Sequence, residues 1–274
     1  MFKIIIMALL IFIGMVGYDN ITDKTQPTTP VQQEQQKTSK HEKSAAMALF
    51  TSLLPPKEEW PSPVHKFYLA FNTDEVIDPI RQNPNWTSLD AMSRDIPQAL
   101  IAIEDHAFYN HGAIAVEGIL RAALANINAG EVVQGGSTLT QQFVKNVFLS
   151  HEQSMERKIE EAVLSLMLED NYSKDEILEL YLNTTYFGAG STGIKQASRT
   201  YFGKAPSALT LAEAAVIASL PYAPTGLNPL ENPEGCKKRQ LLVLAAMHKY
   251  GMINQGQLAE AKAEKIRLTN GTVM

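Results

Sequence analysis

The stretch at residues 95–112, DIPQALIAIEDHAFYNHG, decides how the rest of the chain is interpreted. An apolar, helix-like segment ends abruptly there in Glu104, Asp105, two aromatic residues and two histidines. Two adjacent carboxylates repel each other, so one of them can have a raised pKa and serve as a base. Taken alone, such a pair at a helix end is more often a solvated surface feature, and a lone His111 is more often structural than a metal ligand.

Helical patterns dominate on both sides of this stretch. Capping boxes, which satisfy free amide groups at a helix start, are predicted at Asp95 with Gln98, Ser173 with Glu176, and Thr210 with Glu213. The predicted helices cover residues 96–107, 114–129, 138–148, 154–170, 174–183, 193–202, 210–219 and 234–250. One strand is predicted at residues 64–71, and Pro84 with Asn85 predicts a turn. These patterns indicate a mainly α-helical domain.

Composition limits the classes of function. The chain has 274 residues, of which 45% are hydrophobic, and this is enough for one large core with appendages. The formal net charge of -5 argues against a nucleic-acid partner, because such binders display excess Lys and Arg over a broad face. The single cysteine, Cys236, cannot form an internal disulfide and is interpreted as a packing residue.

The amino terminus carries a targeting signal. Lys3 precedes an apolar run at residues 4–18, which is shorter than the roughly 20 residues of a full span and close to the roughly 7 to 15 of a signal-peptide core. We favour an uncleaved anchor at residues 1–18 over a cleaved signal, since no Ala-x-Ala site precedes Asp19. Both interpretations export the rest of the chain, so we expect a single-pass protein of the cytoplasmic (inner) membrane with its folded domain on the extracytoplasmic face.

A flexible tether is predicted to follow this segment. Residues 22–44 are rich in Thr, Gln, Lys and Pro and carry too few apolar side chains to form a core. We therefore predict a disordered linker at residues 19–59 and a folded domain at residues 60–274.

A second motif, QGGSTLTQQFVKN at residues 134–146, places a glycine pair and hydroxyl groups before a helix. Such a junction presents free amide groups and a positive dipole end to an anion. It lacks the Gly-Lys-Ser/Thr signature of a phosphate loop, so an ATP or GTP site is not expected. As an isolated pattern it is more often an ordinary capped turn.

A third motif, RKIEE at residues 157–161, lies on a predicted helix. Arg157 and Glu161 are four residues apart and share a face, where a simple surface ion pair is the commoner interpretation. Together with Lys145 they also offer cations for a diphosphate and a second carboxylate for chemistry or metal binding.

Taken in order, these motifs resemble the family-51 glycosyltransferases, the polymerase module of class A penicillin-binding proteins and their monofunctional relatives. The resemblance covers about residues 86–253. It rests on Glu-Asp-x-x-Phe-x-x-His at 104–111, Gly-Gly-Ser-Thr-x-Thr-Gln-Gln-x-x-Lys-Asn at 135–146, Arg-Lys-x-x-Glu at 157–161, ILELYLN at 177–183 and YFGK at 201–204. One departure is Ala115, where members commonly carry an acidic residue.

The resemblance implies a peptidoglycan glycosyltransferase that polymerises lipid II. Glu104 would be the general base, and Glu161 would act in the donor site, directly or through a divalent cation (Mg or Mn), although the sequence shows no required cofactor. Lys145 and Arg157 would neutralise the leaving diphosphate. The configuration at the donor's anomeric carbon would be inverted. The residues that fall on the family's cleft-lining positions are Asp105, Phe108, His111, Thr138, Gln142 and Asn146.

The fold implied by the resemblance is a lysozyme-like, mainly helical head lobe with a smaller membrane-proximal jaw lobe. Apolar residues Ile119, Leu120, Leu124 and Ile127 could contact the membrane or pack in the core. The stretch at residues 235–252 is expected to give structural support. Expected partners are lipid II, the growing lipid-linked glycan strand, the membrane and cell-wall synthesis proteins.

Two other functions stay open at this point. A lysozyme-like or lytic-transglycosylase hydrolase also uses a catalytic Glu in a helical lobe, but it has no diphosphate for Lys145 and Arg157 to bind. The second alternative is an inactive scaffold that binds lipid II. The chain carries no Ser-x-x-Lys or Lys-Thr-Gly motif of a transpeptidase, which predicts a monofunctional enzyme.

Overall fold

The computed structural model describes residues 68–69, 72–118, 135–149 and 154–274, without the side chain of Glu156. Its helices are α1 (Asp74–Arg81), α2 (Asp95–Glu104), α3 (Leu139–Phe148), α4 (Met155–Asn171), α5 (Lys174–Thr184), α6 (Ile194–Phe202), α7 (Leu211–Ser219), α8 (Pro233–Lys249) and α9 (Gln255–Ala263). Short 3-10 helices lie at Leu89–Ala91, Phe108–Asn110, Pro206–Ala208 and Leu220–Tyr222. The prediction of a mainly helical domain is confirmed.

The described part of the chain contains no β-strand. Two isolated antiparallel bridges, Tyr186 with Thr192 and Arg267 with Val273, are the extent of extended pairing there. The strand predicted at residues 64–71 is wrong at Tyr68 and Leu69, which are helical, and the rest of it lies outside the described residues.

Two groups of packed helices organise residues 72–274. Helix α7 packs against both α2 and α8, and it is buried along almost its whole length because small Ala residues let neighbouring helices approach. Helix α3 packs against α4 and α5 in the second group. Helix α6 contacts both α5 and α7 and so joins the two groups.

Helix starts follow the capping chemistry predicted at two of three positions. Ser173 with Glu176 and Thr210 with Glu213 form complete capping boxes at α5 and α7. The box predicted at Asp95 is wrong, because Arg94 already has helical backbone angles at the N-cap position and no side chain caps α2. Two further boxes begin α3 and α9, at Thr138 and Asn254.

Several predicted boundaries change in the structure. Helix α2 ends at Glu104 rather than at residue 107, because Asp105 leaves the helical region with φ -158 and ψ 69. Of the helix predicted at residues 114–129, residues 116–118 are helical and the remainder from residue 119 on lies outside the described residues. The turn at Pro84 and Asn85 is confirmed. Helices α1 and α9 were not predicted.

The amino-terminal predictions fall outside the described residues. These are the anchor at residues 1–18 and the linker at residues 19–59. Within the described ranges, none of the helices combines the length and apolar composition that a membrane crossing requires.

Candidate active site

Glu104 is the last residue of α2, so its side chain projects where the helix stops and the chain turns away. Burial raises the pKa of its carboxyl group, and the neighbouring negative charge of Asp105 adds to this effect. A hydrogen bond from Gln142 and the positive charges of Arg239 and Lys145 act in the opposite direction without cancelling the increase. A half-buried carboxylate with a raised pKa, stabilised by nearby cations, is suited to accept a proton.

Gln142 connects the two helix groups at this carboxylate. Its Nε2 donates a hydrogen bond of 3.0 Å to Glu104 Oε2, across from α3 to the end of α2. Its Oε1 accepts a hydrogen bond of 3.1 Å from the hydroxyl of Tyr181 on α5. Both ends of the amide are therefore occupied, and Glu104 is positioned by contacts that come from two other helices.

Asp105 has a different set of partners from its neighbour. Its Oδ2 accepts a hydrogen bond of 3.0 Å from the backbone N–H of Leu139, at the first turn of α3. Its Oδ1 lies 2.6 Å from His111 Nε2, while His111 Nδ1 lies 2.6 Å from the carbonyl oxygen of Gly112. Because both ring nitrogens face acceptors, the geometry favours the doubly protonated imidazole, and the hydrogen bond to Asp105 raises the pKa of His111. Asp105 and His111 thus form a structural pair beside Glu104.

Two further predicted site residues hold the backbone in place. The Thr138 side chain accepts a hydrogen bond from the backbone N–H of Gln141 and donates one of 2.7 Å to the carbonyl oxygen of Ala113. Phe108 is fully buried, and the Lys174 ammonium group lies 4.4 Å from the centre of its ring. Both side chains are buried, and the hydroxyl of Thr138 is occupied by backbone contacts.

The predicted cations occupy neighbouring helix ends. Lys145 and Asn146 lie exposed in the last turns of α3. Arg157 lies in the first turn of α4, where it is half-buried, and its Nε is enclosed without a hydrogen-bond partner among the described residues. Lys145 is close enough to Glu104 to lower its pKa.

Glu161 is buried and its charge is matched by a lysine. Only 1% of its surface is exposed, and its Oε1 forms an ion pair with Lys158 Nζ. Lys158 Nζ also donates a hydrogen bond of 3.2 Å to Ser137 Oγ, in the loop before α3. No cluster of three metal-binding side chains surrounds Glu161 or any other position in the described ranges. Among the described residues, the charged partner of the Glu161 carboxylate is therefore a lysine.

The structure brings some predicted residues together and leaves others apart. Glu104, Gln142 and Lys145 form one group, and Glu161 with Lys158 forms another at the base of α4. Within the part of the chain that is described, no hydrogen bond or ion pair links Glu104 directly to Arg157 or Glu161.

Three residues of the site were not predicted. Lys158 lies in the RKIEE motif and Tyr181 in ILELYLN, and neither motif predicts a role for these two residues. Arg239 lies on α8, in the stretch to which only structural support was assigned, yet its charge lowers the pKa of Glu104. Its guanidinium group also stacks on Tyr222, 4.1 Å from the ring centre.

The described part of the chain is thus a helical domain in which the half-buried carboxylate of Glu104 lies near the positive charges of Lys145 and Arg239. The transglycosylase family model matches residues 73–248, so this chain belongs to that family, the peptidoglycan glycosyltransferases of family 51 that its motifs indicated. The chain is accordingly an enzyme of the glycosyltransferase class.

Curated relatives agree with this assignment. A candidate transglycosylase of Cupriavidus necator is 41% identical over 194 residues, which cover 71% of this chain and 84% of that protein. Penicillin-binding protein 1A of Neisseria flavescens is 44% identical over 185 residues, 68% of this chain and 23% of the relative. Penicillin-binding protein 2D of Bacillus subtilis is 45% identical over 181 residues, 66% of this chain and 26% of the relative. The chain thus spans about a quarter of the two penicillin-binding proteins.

Proposed function

We propose that this chain polymerises lipid II into glycan strands, with Glu104 as the general base. The observation that carries the proposal is the position of the Glu104 carboxylate, which ends a buried helix and has Lys145 and Arg239 close enough to influence its pKa. A base must be ionised and must still have affinity for a proton. Burial supplies the affinity for a proton, and the cations keep the ionised form accessible.

The proposed reaction is a single displacement. Glu104 accepts the proton of the sugar 4-hydroxyl of an incoming lipid II, and the oxygen attacks the anomeric carbon of the lipid-linked strand. The bond to the diphosphate breaks as the new glycosidic bond forms, so the configuration inverts and undecaprenyl diphosphate leaves. Negative charge develops on the departing group, which requires fixed positive charge nearby.

Lys145 and Arg157 are proposed to receive this diphosphate. Arg157 and Lys158 both lie in the first turn of α4, where the helix dipole is positive and cationic side chains are unfavourable. An arrangement that is electrostatically unfavourable in the free protein is explained by an anion that binds there. Arg157 is half-buried in this first turn, and its guanidinium charge would stabilise an anion bound there.

Glu161 is proposed to act in the donor site through Lys158. The buried carboxylate fixes the lysine, which also contacts Ser137 in the loop before α3. The ammonium group is thereby directed toward the region where the glycine-containing loop meets α4. No step of the proposed reaction runs through a metal ion.

The cellular setting belongs to the same proposal. We propose a membrane anchor at residues 1–18, a linker at residues 19–59 and a domain at residues 60–274 that works on the extracytoplasmic face of the cytoplasmic membrane. A lysozyme-like head lobe and a membrane-proximal jaw lobe are proposed from the resemblance to the family. Ile119, Leu120, Leu124 and Ile127, whose role is membrane contact or core packing, lie outside the described residues. Other cell-wall synthesis proteins are proposed as its partners.

A lipid II polymerisation assay tests the proposal. The full-length protein in detergent or vesicles is incubated with labelled lipid II, and the products are separated by length, with and without a chelator. We expect glycan polymer and released undecaprenyl diphosphate. A parallel incubation with preformed glycan tests hydrolysis, and cleavage of that glycan without polymerisation would favour the lysozyme-like alternative. Binding of lipid II without either product would favour the inactive scaffold.

A further inference from the structure

Tyr181 is a buried tyrosine whose hydroxyl points toward the catalytic region. Only 1% of its surface is exposed, and the same helix contributes Ile177, Leu178, Leu180 and Leu182 to the core. Its hydroxyl donates a hydrogen bond of 3.1 Å to Gln142 Oε1, and Gln142 Nε2 donates one of 3.0 Å to Glu104 Oε2. A chain of two hydrogen bonds therefore links α5 to the carboxylate at the end of α2.

The order of donors along this chain depends on the charge of Glu104. An ionised carboxylate only accepts hydrogen bonds, so the amide nitrogen of Gln142 must face it and the amide oxygen must face Tyr181. The phenol can then donate to that oxygen. A protonated Glu104 would fit this arrangement less well, because its carboxylic proton would face the Nε2 amide group of Gln142, which is a donor and not an acceptor.

We propose that Tyr181 is a positioning residue that holds the Gln142 amide in the one orientation that favours the ionised, base-competent form of Glu104. The inference rests on the proposed function of Glu104 and adds a residue to it. Burial and the charge of Glu104 both raise the pKa of the Tyr181 phenol, so its proton stays in place as a donor over the working pH range. The position of α5, which carries Tyr181, thus contributes to the protonation state of Glu104.

The variant Tyr181→Phe removes one oxygen and keeps the ring. Without the hydroxyl, Gln142 Oε1 is left without its donor and the amide can rotate its oxygen toward Glu104. The expected result is a pKa of Glu104 that is higher by about half a unit to one unit, since a hydrogen bond to a charged group is lost or weakened. In the pH profile of kcat/KM for lipid II polymerisation, the acidic limb should move to higher pH by the same amount.

A matched control separates positioning from packing. Tyr201 is equally buried, and its hydroxyl donates a hydrogen bond of 2.7 Å to the carbonyl oxygen of Phe187. Tyr201→Phe should lower thermal stability while leaving the acidic limb unchanged. In a Gln142→Leu background, Tyr181→Phe should cause no further shift, because the connecting amide is already gone. A shift of equal size in that background would overturn the proposal.

A readout without substrate distinguishes this inference from the proposed function. The stability difference between each protein and its Glu104→Gln variant, followed from pH 3 to pH 9, reports the pKa of Glu104 by linkage. If wild-type protein makes no polymer, the proposed function fails, yet this comparison still tests Tyr181. An identical pKa of Glu104 with Tyr181 and with Tyr181→Phe would overturn the positioning role.

Should Tyr181→Phe not fold, wild-type protein decides the question by NMR. The Tyr181 hydroxyl proton is expected to exchange slowly with water, and the Gln142 side-chain amide is expected to shift as Glu104 titrates. A rapidly exchanging hydroxyl proton, or an amide that ignores this titration, would contradict the proposal.

Discussion

His111 Nε2 lies 2.6 Å from Asp105 Oδ1, and this contact separates the roles of two adjacent carboxylates. Asp105 is occupied by His111 and by the backbone N–H of Leu139, so it holds the start of α3 against the end of α2. Glu104 is contacted by the side chain of Gln142. The fold thereby occupies both oxygens of the Asp105 carboxylate with structural contacts, while the neighbouring Glu104 is the residue proposed as the base.

The His111 contact predicts a pH-dependent contribution to stability. The hydrogen bond to Asp105 raises the pKa of His111 above its ordinary value of 6.5, an effect that burial and the Lys174 charge oppose without cancelling. The stabilisation is therefore fully present below pH 6.5 and is lost as pH rises through the folded-state pKa. Urea unfolding should show His111→Gln less stable than wild type by about 1 to 2 kcal/mol at pH 6. This difference should shrink toward pH 9, and one that stays constant with pH would contradict the protonated pair.

Lys145 should matter for the substrate and little for the fold. It is exposed in the last turn of α3 and has no hydrogen-bond partner in the described ranges. We expect Lys145→Ala to lower kcat/KM for lipid II by about 10- to 100-fold, the value of a charge-assisted contact. Unfolding free energy should change by less than about 0.5 kcal/mol.

Lys262 provides the matched control for Lys145. It is also an exposed lysine in the last turn of a helix, α9. Lys262→Ala should leave kcat/KM unchanged when measured at the same ionic strength. Equal losses for the two variants would show that Lys145 acts only through general surface charge.

Arg239 should tune the base through its charge. Its positive charge lowers the pKa of Glu104, so Arg239→Met should raise that pKa and move the acidic limb of the kcat/KM profile upward by about one pH unit. Arg239→Lys keeps the charge and should largely preserve the limb, although it weakens stacking on Tyr222. An acidic limb that stays in place for Arg239→Met would remove Arg239 from the site.

Local chemistry explains which parts of the fold could be predicted. Capping boxes at Ser173 and Thr210 involve residues three positions apart, so the sequence contains all the information they need. Helix α1 was missed because Pro79, normally a helix breaker, lies inside it. The box at Asp95 failed because the helical turn extends one residue earlier, through Arg94.

The candidate site also contains some residues that the sequence predicts and others whose roles only the structure reveals. The motifs identified Glu104, Gln142 and Lys145 individually, and the structure places them together. The roles of Tyr181 and Arg239 arise from contacts between residues far apart in the chain, which no local spacing encodes. Thr138 caps helix α3 and Phe108 fills the core, and their place at a substrate cleft stays a prediction.

The activity of Glu104→Gln tests most directly whether Glu104 is the base. This variant keeps the shape of the side chain and its contact with Gln142 but cannot accept the proton. Lipid II polymerisation by the full-length variant should fall by at least about 100-fold, while thermal unfolding and binding of the lipid-linked donor stay close to wild type. Polymerisation at the wild-type rate by a folded Glu104→Gln protein would show that another group is the base.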